Sequence, residues 1–199
     1  MLIPGEKERG IFMDFYCRLI NREYPLERDY IPDDLIPCDF PFAAAEQAEK
    51  RLLRSTAAQA AKALIEYGKS FGCSLYGISG YRSYARQQEI YEKRLAQAGP
   101  LHTARYIARP GESEHQSGLA LDLSCPAVSL ELEESFAETG EGRWLAAYAP
   151  MFGFILRYPR GKEKITGYAW EPWHIRYVGK SLALYLALTG MTLEEYHRI

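Results

Sequence analysis

Apolar and polar positions alternate with period two over residues 119–124: Leu119, Leu121 and Leu123 fall on one side, and Ala120, Asp122 and Ser124 on the other. That pattern predicts a strand with a single apolar face. Residues 43–71 have a different rhythm, being rich in strong helix formers, with a broad stripe at Leu52, Leu53, Ala57, Ala60, Ala61, Leu64, Ile65 and Tyr67 that predicts the main scaffold helix, closed by Gly72. A buried strand is predicted over 73–81, and then a helix capped by Ser83 that runs to about Ala98 and stops at Gly99-Pro100. Residues 101–110 read as a loop, and 131–142 as an acidic, mobile insertion. An amphipathic helix over 143–152 ends at Gly153. Strands are predicted over 154–158, 167–170 and 174–178, with a charged turn over 159–166, and closing helices over 179–189 and 192–198. Strands clustered together after a first long helix indicate an α+β fold with a mainly antiparallel sheet flanked by helices.

Residues 1–42 stand apart, with prolines at 4, 25, 32, 37 and 41 and no sustained period. They are expected to form an extended arm packed on a domain of residues 43–199, with one short helix over 10–21, where Phe12, Phe15, Tyr16 and Leu19 have helical spacing. Charges at Glu6, Lys7, Glu8, Arg9, Asp14 and Arg18 interrupt any apolar leader, so no secretory signal is read there and a cytoplasmic location is expected. The cell envelope would apply if a signal or anchor had been trimmed. No apolar run is long enough to span a bilayer.

The 199 residues suit one domain with a core of its own, and a formal charge of -2 without a basic stripe gives no basis for nucleic-acid binding. Fifteen tyrosines suggest a groove lined by rings. Cys17, Cys38, Cys73 and Cys125 are widely spaced with no CxxC pair, which favours free, mostly buried thiols over two disulfides and makes them poor zinc ligands.

Candidate chemistry centres on His115 and, seven residues later, Asp122, the only aspartate after Asp39. A loop histidine and a strand aspartate can converge to form half of a metal site. His174, inside Trp170-Glu171-Pro172-Trp173-His174, supplies a third donor. Taken singly, a histidine beside tryptophans is more often a satisfied structural residue. Zinc hydrolases use three protein ligands and keep one position open, and they need a further carboxylate that is not a ligand to take the proton from the attacking water. Glu171 is placed for that task, in surroundings that raise its proton affinity. Arg82, at a strand-to-helix junction, could hold the terminal carboxylate of a peptide through a bidentate pair, confining cleavage to the last residue.

Four stretches, Ser79-Gly80-Tyr81-Arg82-Ser83, residues 113–122, residues 153–159 and residues 171–179, together resemble the VanY-type D-alanyl-D-alanine carboxypeptidases, zinc peptidases that also include the VanX dipeptidases, VanXY enzymes and LdcB L,D-carboxypeptidases. The resemblance covers about residue 19 to the end. It implies Zn2+ held by His115, Asp122 and His174, Glu171 as catalytic base, and Arg82 on the substrate carboxylate. By the same resemblance Ser113 helps bind that end of the substrate and Gln88 lines the pocket. The implied substrate is a peptidoglycan stem peptide or a precursor ending in D-Ala-D-Ala, and the lack of a signal is closer to the cytoplasmic VanXY-like members. The expectation is thus a zinc D,D-carboxypeptidase, a monomer or weak dimer. Its rivals are a D,D-dipeptidase, an L,D-carboxypeptidase, a non-catalytic peptidoglycan-binding module and a purely structural zinc.

Overall fold

The computed structural model describes residues 15–199, and everything below refers to these. In chain order they form β1 (Leu35–Pro37), β2 (Leu52–Arg54), α1 (Ser55–Ser70), β3 (Tyr76–Ser79), α2 (Tyr84–Tyr106), β4 (Ala120–Ser124), α3 (Gly140–Tyr148), β5 (Phe154–Leu156), α4 (Glu163–Thr166), β6 (His174–Tyr177), α5 (Lys180–Thr189) and α6 (Leu193–Tyr196), with short 3-10 turns between. Four strands make one sheet in the order β3-β4-β6-β5, every neighbouring pair antiparallel, and β1 pairs with β2 in a separate two-stranded ribbon. The α+β architecture expected from the element order is the one observed.

The period-two pattern of β4 divides the sheet into two faces. Leu119, Leu121 and Leu123, with Ile175 and Tyr177 of β6, enter the main core together with Ala57, Ala61, Leu64 and Ile65 of α1. Residues of the opposite parity, Ala120, Asp122, His174 and Arg176, share the other face. All five residues of β4 are buried, so the second face is covered too. A smaller cluster of Leu19, Ile155, Val178, Leu182, Leu186 and Leu193 packs α5 and α6 against the far edge of the sheet.

Several boundaries differ from the predicted ones, each because a tertiary partner outweighs local propensity. The long helix begins at Ser55, not at residue 43, because Leu52–Arg54 pairs with Leu35–Pro37 and because the Ala43 N–H donates to Gly77 O at 2.8 Å. Gly77 permits this contact: a Cβ there would lie 2.3 Å from the Phe42 ring. The strand after α1 is shorter than predicted because Gly80 and Tyr81 donate instead to Lys50 O and Leu52 O. Ser83 caps α2 as expected, accepting from the Arg86 N–H. The helix breaks at Gly99, where φ is 76°, and then resumes to Tyr106 in place of the predicted loop, with Pro100 at its first turn. Residues 167–170 are not a strand; they form an irregular crossing held by single hydrogen bonds from Ala169 N–H to Arg105 O and from Glu171 N–H to Tyr158 O. The helix expected over 10–21 lies largely outside the described residues; within them, 15–17 are helical and the chain leaves the helix at Arg18.

The acidic stretch 131–142 is anchored and not a mobile insertion. Phe136 sits in a 3-10 turn with no exposed surface, and Thr139 caps α3 by accepting from the Gly142 N–H. Cys38, Cys73 and Cys125 are buried thiols, as expected. No helix among the described residues is long and apolar enough to cross a membrane. Because Phe136 is a core residue, Phe136→Ala is expected to lower unfolding free energy by about 3–5 kcal/mol, read as a reduced denaturant midpoint. An insertion loosely attached to the domain would leave that midpoint unmoved.

Candidate metal centre and its cleft

Strand register brings two of the three candidate ligands together. Asp122 of β4 is directly opposite His174 of β6, and Ser79 of β3 is opposite Asp122 on its other side. His115 arrives from the turn Glu114–Ser117, closed by Gly118 at φ 68°, where a Cβ would meet Leu35 Cδ2 at 2.8 Å. The left-handed backbone favours glycine there, since a side chain would be strained and would displace Leu35, and it lets the chain turn from the His115 turn directly into β4.

The three side chains are almost wholly buried. His115 Nε2 lies 3.2 Å from Asp122 Oδ2, and His174 Nδ1 lies 2.9 Å from Asp122 Oδ1. All three donor atoms fall within 4.8 Å of one another. Bond lengths of about 2.0–2.2 Å put the ligand atoms of a tetrahedral site roughly 3.3 Å apart, so the spacing suits one divalent ion. The donor chemistry agrees. His115 Nδ1 is 2.7 Å from Gly80 O and carries the ring proton there, which turns a lone pair on Nε2 toward a carboxylate oxygen that also has only lone pairs. Two acceptors face to face call for a cation between them. Burial, opposed by Asp122 and reinforced by Arg82, holds His115 below its ordinary pKa. His174 behaves oppositely: burial opposes charging it, but the neighbouring carboxylates of Asp122, which it hydrogen-bonds, and Glu114 outweigh that and push its pKa up to about 9. The pocket is thus built to receive positive charge.

These residues form the floor of a cleft of about 460 Å³, with Tyr106, Tyr158, Tyr168 and Trp173 among its walls, which is the ring-lined groove that tyrosine content suggested. Glu171 Oε2 is 3.8 Å from His174 Nδ1, adjacent to the ligand cluster without being one of its members. Burial is the main reason that its pKa is pushed up to about 7; the charges of Asp122 and Glu114 add to the effect, and His174 and Arg82 oppose it. Of the flanking tryptophans, Trp173 lines the cleft and Trp170 lies under the Arg160 guanidinium.

Arg82 points into the same cleft, its Nη2 donating to Ser79 Oγ at 3.0 Å and lying 4.0 Å from Asp122 Oδ2. Ser113 is buried and also lines the cleft. Gln88 does not: it is exposed on α2 and donates to Glu92. Its neighbour Gln87 has the inward role, accepting from Arg82 Nη1 at 2.8 Å and donating to Ala108 O at 2.6 Å. One step along a helix turns a side chain by about 100°, so the choice between adjacent glutamines depends on helical phase, which the sequence leaves open.

Comparison with known proteins places the chain. The family model described as "VanY: D-alanyl-D-alanine carboxypeptidase" matches residues 50–180, well over half of it. The chain belongs to the VanY family. Putative carboxypeptidase YodJ of Bacillus subtilis (strain 168) is 44% identical over 178 residues, 89% of this chain, and the chain spans 65% of that relative's length. The solved structure of the LdcB LD-carboxypeptidase, presented for its peptidoglycan recognition, has 43% identity and a TM-score of 0.86, covering 90% of this chain and 84% of the other. The vancomycin resistance D,D-pentapeptidase VanY of a VanB-type cassette, solved as a mutant in complex with Zn(II), has 30% identity and a TM-score of 0.76, covering 92% of this chain and 99% of the other.

In this VanY-family chain, a group of buried charges behind the ligands went unread in the sequence. Arg157 and Arg176 are essentially unexposed. Both reach Glu114 Oε1, from Arg157 Nε at 2.7 Å and Arg176 Nη1 at 2.8 Å, while Arg157 also grips Glu194 of α6 with Nη1 and Nη2 at 2.9 and 2.6 Å. A signal was present: each arginine interrupts an apolar strand run, Phe154-Ile155-Leu156-Arg157 and Ile175-Arg176-Tyr177, and a charge in such a place needs a buried partner.

Since the cluster is deficient in positive charge, a divalent cation should stabilise the fold. Zinc at 100 times its dissociation constant is expected to add about 2.7 kcal/mol, visible as a raised Tm that a chelator reverses. Asp122→Asn should abolish the increment, and an unchanged Tm on adding zinc to the wild type would refute the site.

Proposed function

We propose that the protein is a zinc-dependent carboxypeptidase that removes the C-terminal D-alanine from peptidoglycan stem peptides or their precursors, with peptides ending in D-Ala-D-Ala as its preferred substrates. The observation that carries this reading is the convergence, at the floor of one cleft, of the His115, Asp122 and His174 donors with Glu171 and Arg82 beside them. The family match and the Zn(II) complex of a relative support it. Three protein donors suit a catalytic ion better than a structural one, which takes four.

Bound between those donors, zinc would supply Lewis-acid polarisation of the scissile carbonyl and would make water a better nucleophile. The remaining work falls to the chain. Arg82, already aimed by Ser79 and Gln87, pairs with the free carboxylate at the substrate's end and so sets the last peptide bond over the cluster. Ser113, on the cleft wall next to the turn bearing the first histidine, adds a hydroxyl to that end of the pocket. Glu171, with its proton affinity raised to about pH 7, takes a proton from the attacking water through its carboxylate and returns it to the departing amine nitrogen. The aromatic walls exclude bulk water from the reacting bond.

A second reading, an L,D-carboxypeptidase that cuts a tetrapeptide ending in a single D-alanine after a diamino acid, is favoured by the higher identity and TM-score to LdcB than to the D,D-pentapeptidase. Both cleave before a terminal D-alanine, so Arg82 and Glu171 serve the same purpose in each.

Release of D-alanine from a pentapeptide, a tetrapeptide and the free dipeptide, measured side by side with and without a chelator, separates the alternatives. Metal-dependent turnover of the pentapeptide first is expected; faster turnover of the tetrapeptide would transfer the assignment to the L,D class, and binding without release would make the chain a non-catalytic module. Glu171→Gln should bind zinc as the wild type does and lose about 10²–10⁴-fold in kcat; full turnover would remove Glu171 as the base. Arg82→Gln should weaken kcat/KM about 10–100-fold for a peptide with a free terminal carboxylate and change little for the same peptide amidated.

A further inference from the structure

Two buried atoms beside the ligand cluster lack hydrogen-bond partners and face each other: His174 Nε2 and Glu114 Oε2, 3.7 Å apart. Neither is placed there by accident of a loose side chain. The Glu114 side chain is completely enclosed, and its other oxygen is fixed by Arg157 at 2.7 Å and Arg176 at 2.8 Å, which leaves Oε2 aimed at the imidazole. Arg157 is in turn clamped by both oxygens of Glu194, so the carboxylate cannot swing away without breaking a fully buried network. On the histidine, Nδ1 is the nitrogen turned toward Asp122. A neutral imidazole whose Nδ1 lone pair is used for ligation carries its hydrogen on Nε2. Glu114 Oε2 is the unpartnered acceptor facing that hydrogen, and the gap exceeds ordinary hydrogen-bond length by about half an ångström.

We propose that Glu114 is a positioning residue for His174: its Oε2 accepts the Nε2–H hydrogen bond, which fixes the ring's tautomer and orientation and presents Nδ1 to the metal. This rests on the metal-site reading above. Glu114 acts through the ring of His174, and the two arginines act through Glu114 in turn, by denying its carboxylate any other orientation. Glu194 belongs to the same charge network but makes its contacts to Arg157 and not to the histidine, which makes it the natural control.

The test compares zinc affinity, by competition with a chromogenic chelator, for the full-length wild type, Glu114→Gln and Glu194→Gln, with thermal unfolding of each. Both variants should lose thermal stability, since each removes a carboxylate from Arg157. Zinc affinity should fall about 10–100-fold in Glu114→Gln alone, and the visible absorption of its cobalt-substituted form should shift as the ligand field changes. Zinc affinity equal to wild type in a folded Glu114→Gln, or an equal loss in both variants, would overturn the inference and leave the metal site standing; absence of zinc binding in the wild type would remove both. If Glu114→Gln does not fold, the wild-type holoprotein decides alone. Long-range proton–nitrogen NMR correlations of its histidine rings should show His174 protonated at Nε2 with a slowly exchanging hydrogen, and protonation at Nδ1 would refute the assignment.

Discussion

Antiparallel pairing of β4 with β6, in the register that sets Asp122 opposite His174, is the constraint on which the rest of the molecule depends. Directly opposed residues in such a pair carry their Cβ atoms about 4.5–5.5 Å apart, close enough for carboxylate and imidazole to share one ion. The register is not free to slip. A shift by one residue would turn Leu121, Leu123 and Ile175 out of the core and drive Asp122 and His174 into it. Burial of the apolar face thus fixes the geometry of the polar one, and the candidate ligand cluster takes its precision from the hydrophobic effect acting on the other side of the same sheet.

The polar face carries an unusual amount of buried charge. Glu114, Arg157, Arg176 and Glu194 together form a network with almost no exposed surface. Such a network is weak evidence of stabilisation, because desolvating each ion offsets much of its attraction, yet removing one partner strands a charge at a cost of about 3–5 kcal/mol. Its structural consequence is connection. Arg176 also donates to Tyr16 O and Arg18 O, and Gln116 donates to Glu27 O and Tyr30 O, so the early segment of the chain is tied to the turn that holds His115. Through Glu194, the last helix is tied to it as well. Segments far apart in sequence therefore share in holding a single turn.

The opening in front of this frame has the contrasting properties that peptide-end recognition needs. Its floor collects donors and carboxylates; rings are prominent among its walls; and Arg82, braced by Ser79 and Gln87, stands at the side. Bracing matters because an unheld guanidinium would lose conformational freedom on binding, and that entropy would subtract from affinity. The same burial that excludes water from the floor raises the proton affinity of Glu171.

The sequence by itself determined the α+β class, the strand that carries Asp122, the capping of α2 by Ser83 and the histidines and aspartate that meet, because each depends on local chemistry: side-chain period, cap residues, and rare residue types in distinctive contexts. Tertiary structure decided what local chemistry leaves degenerate. Residues 43–54 have helical composition but are drawn into pairing with Leu35–Pro37 and Gly77; Phe136 turns an acidic stretch into core; and helical phase selects Gln87 over Gln88. The partnership of Glu114 with two arginines 43 and 62 residues away was beyond any local pattern, since which charges are buried together follows from how the sheet and the last helices close over them.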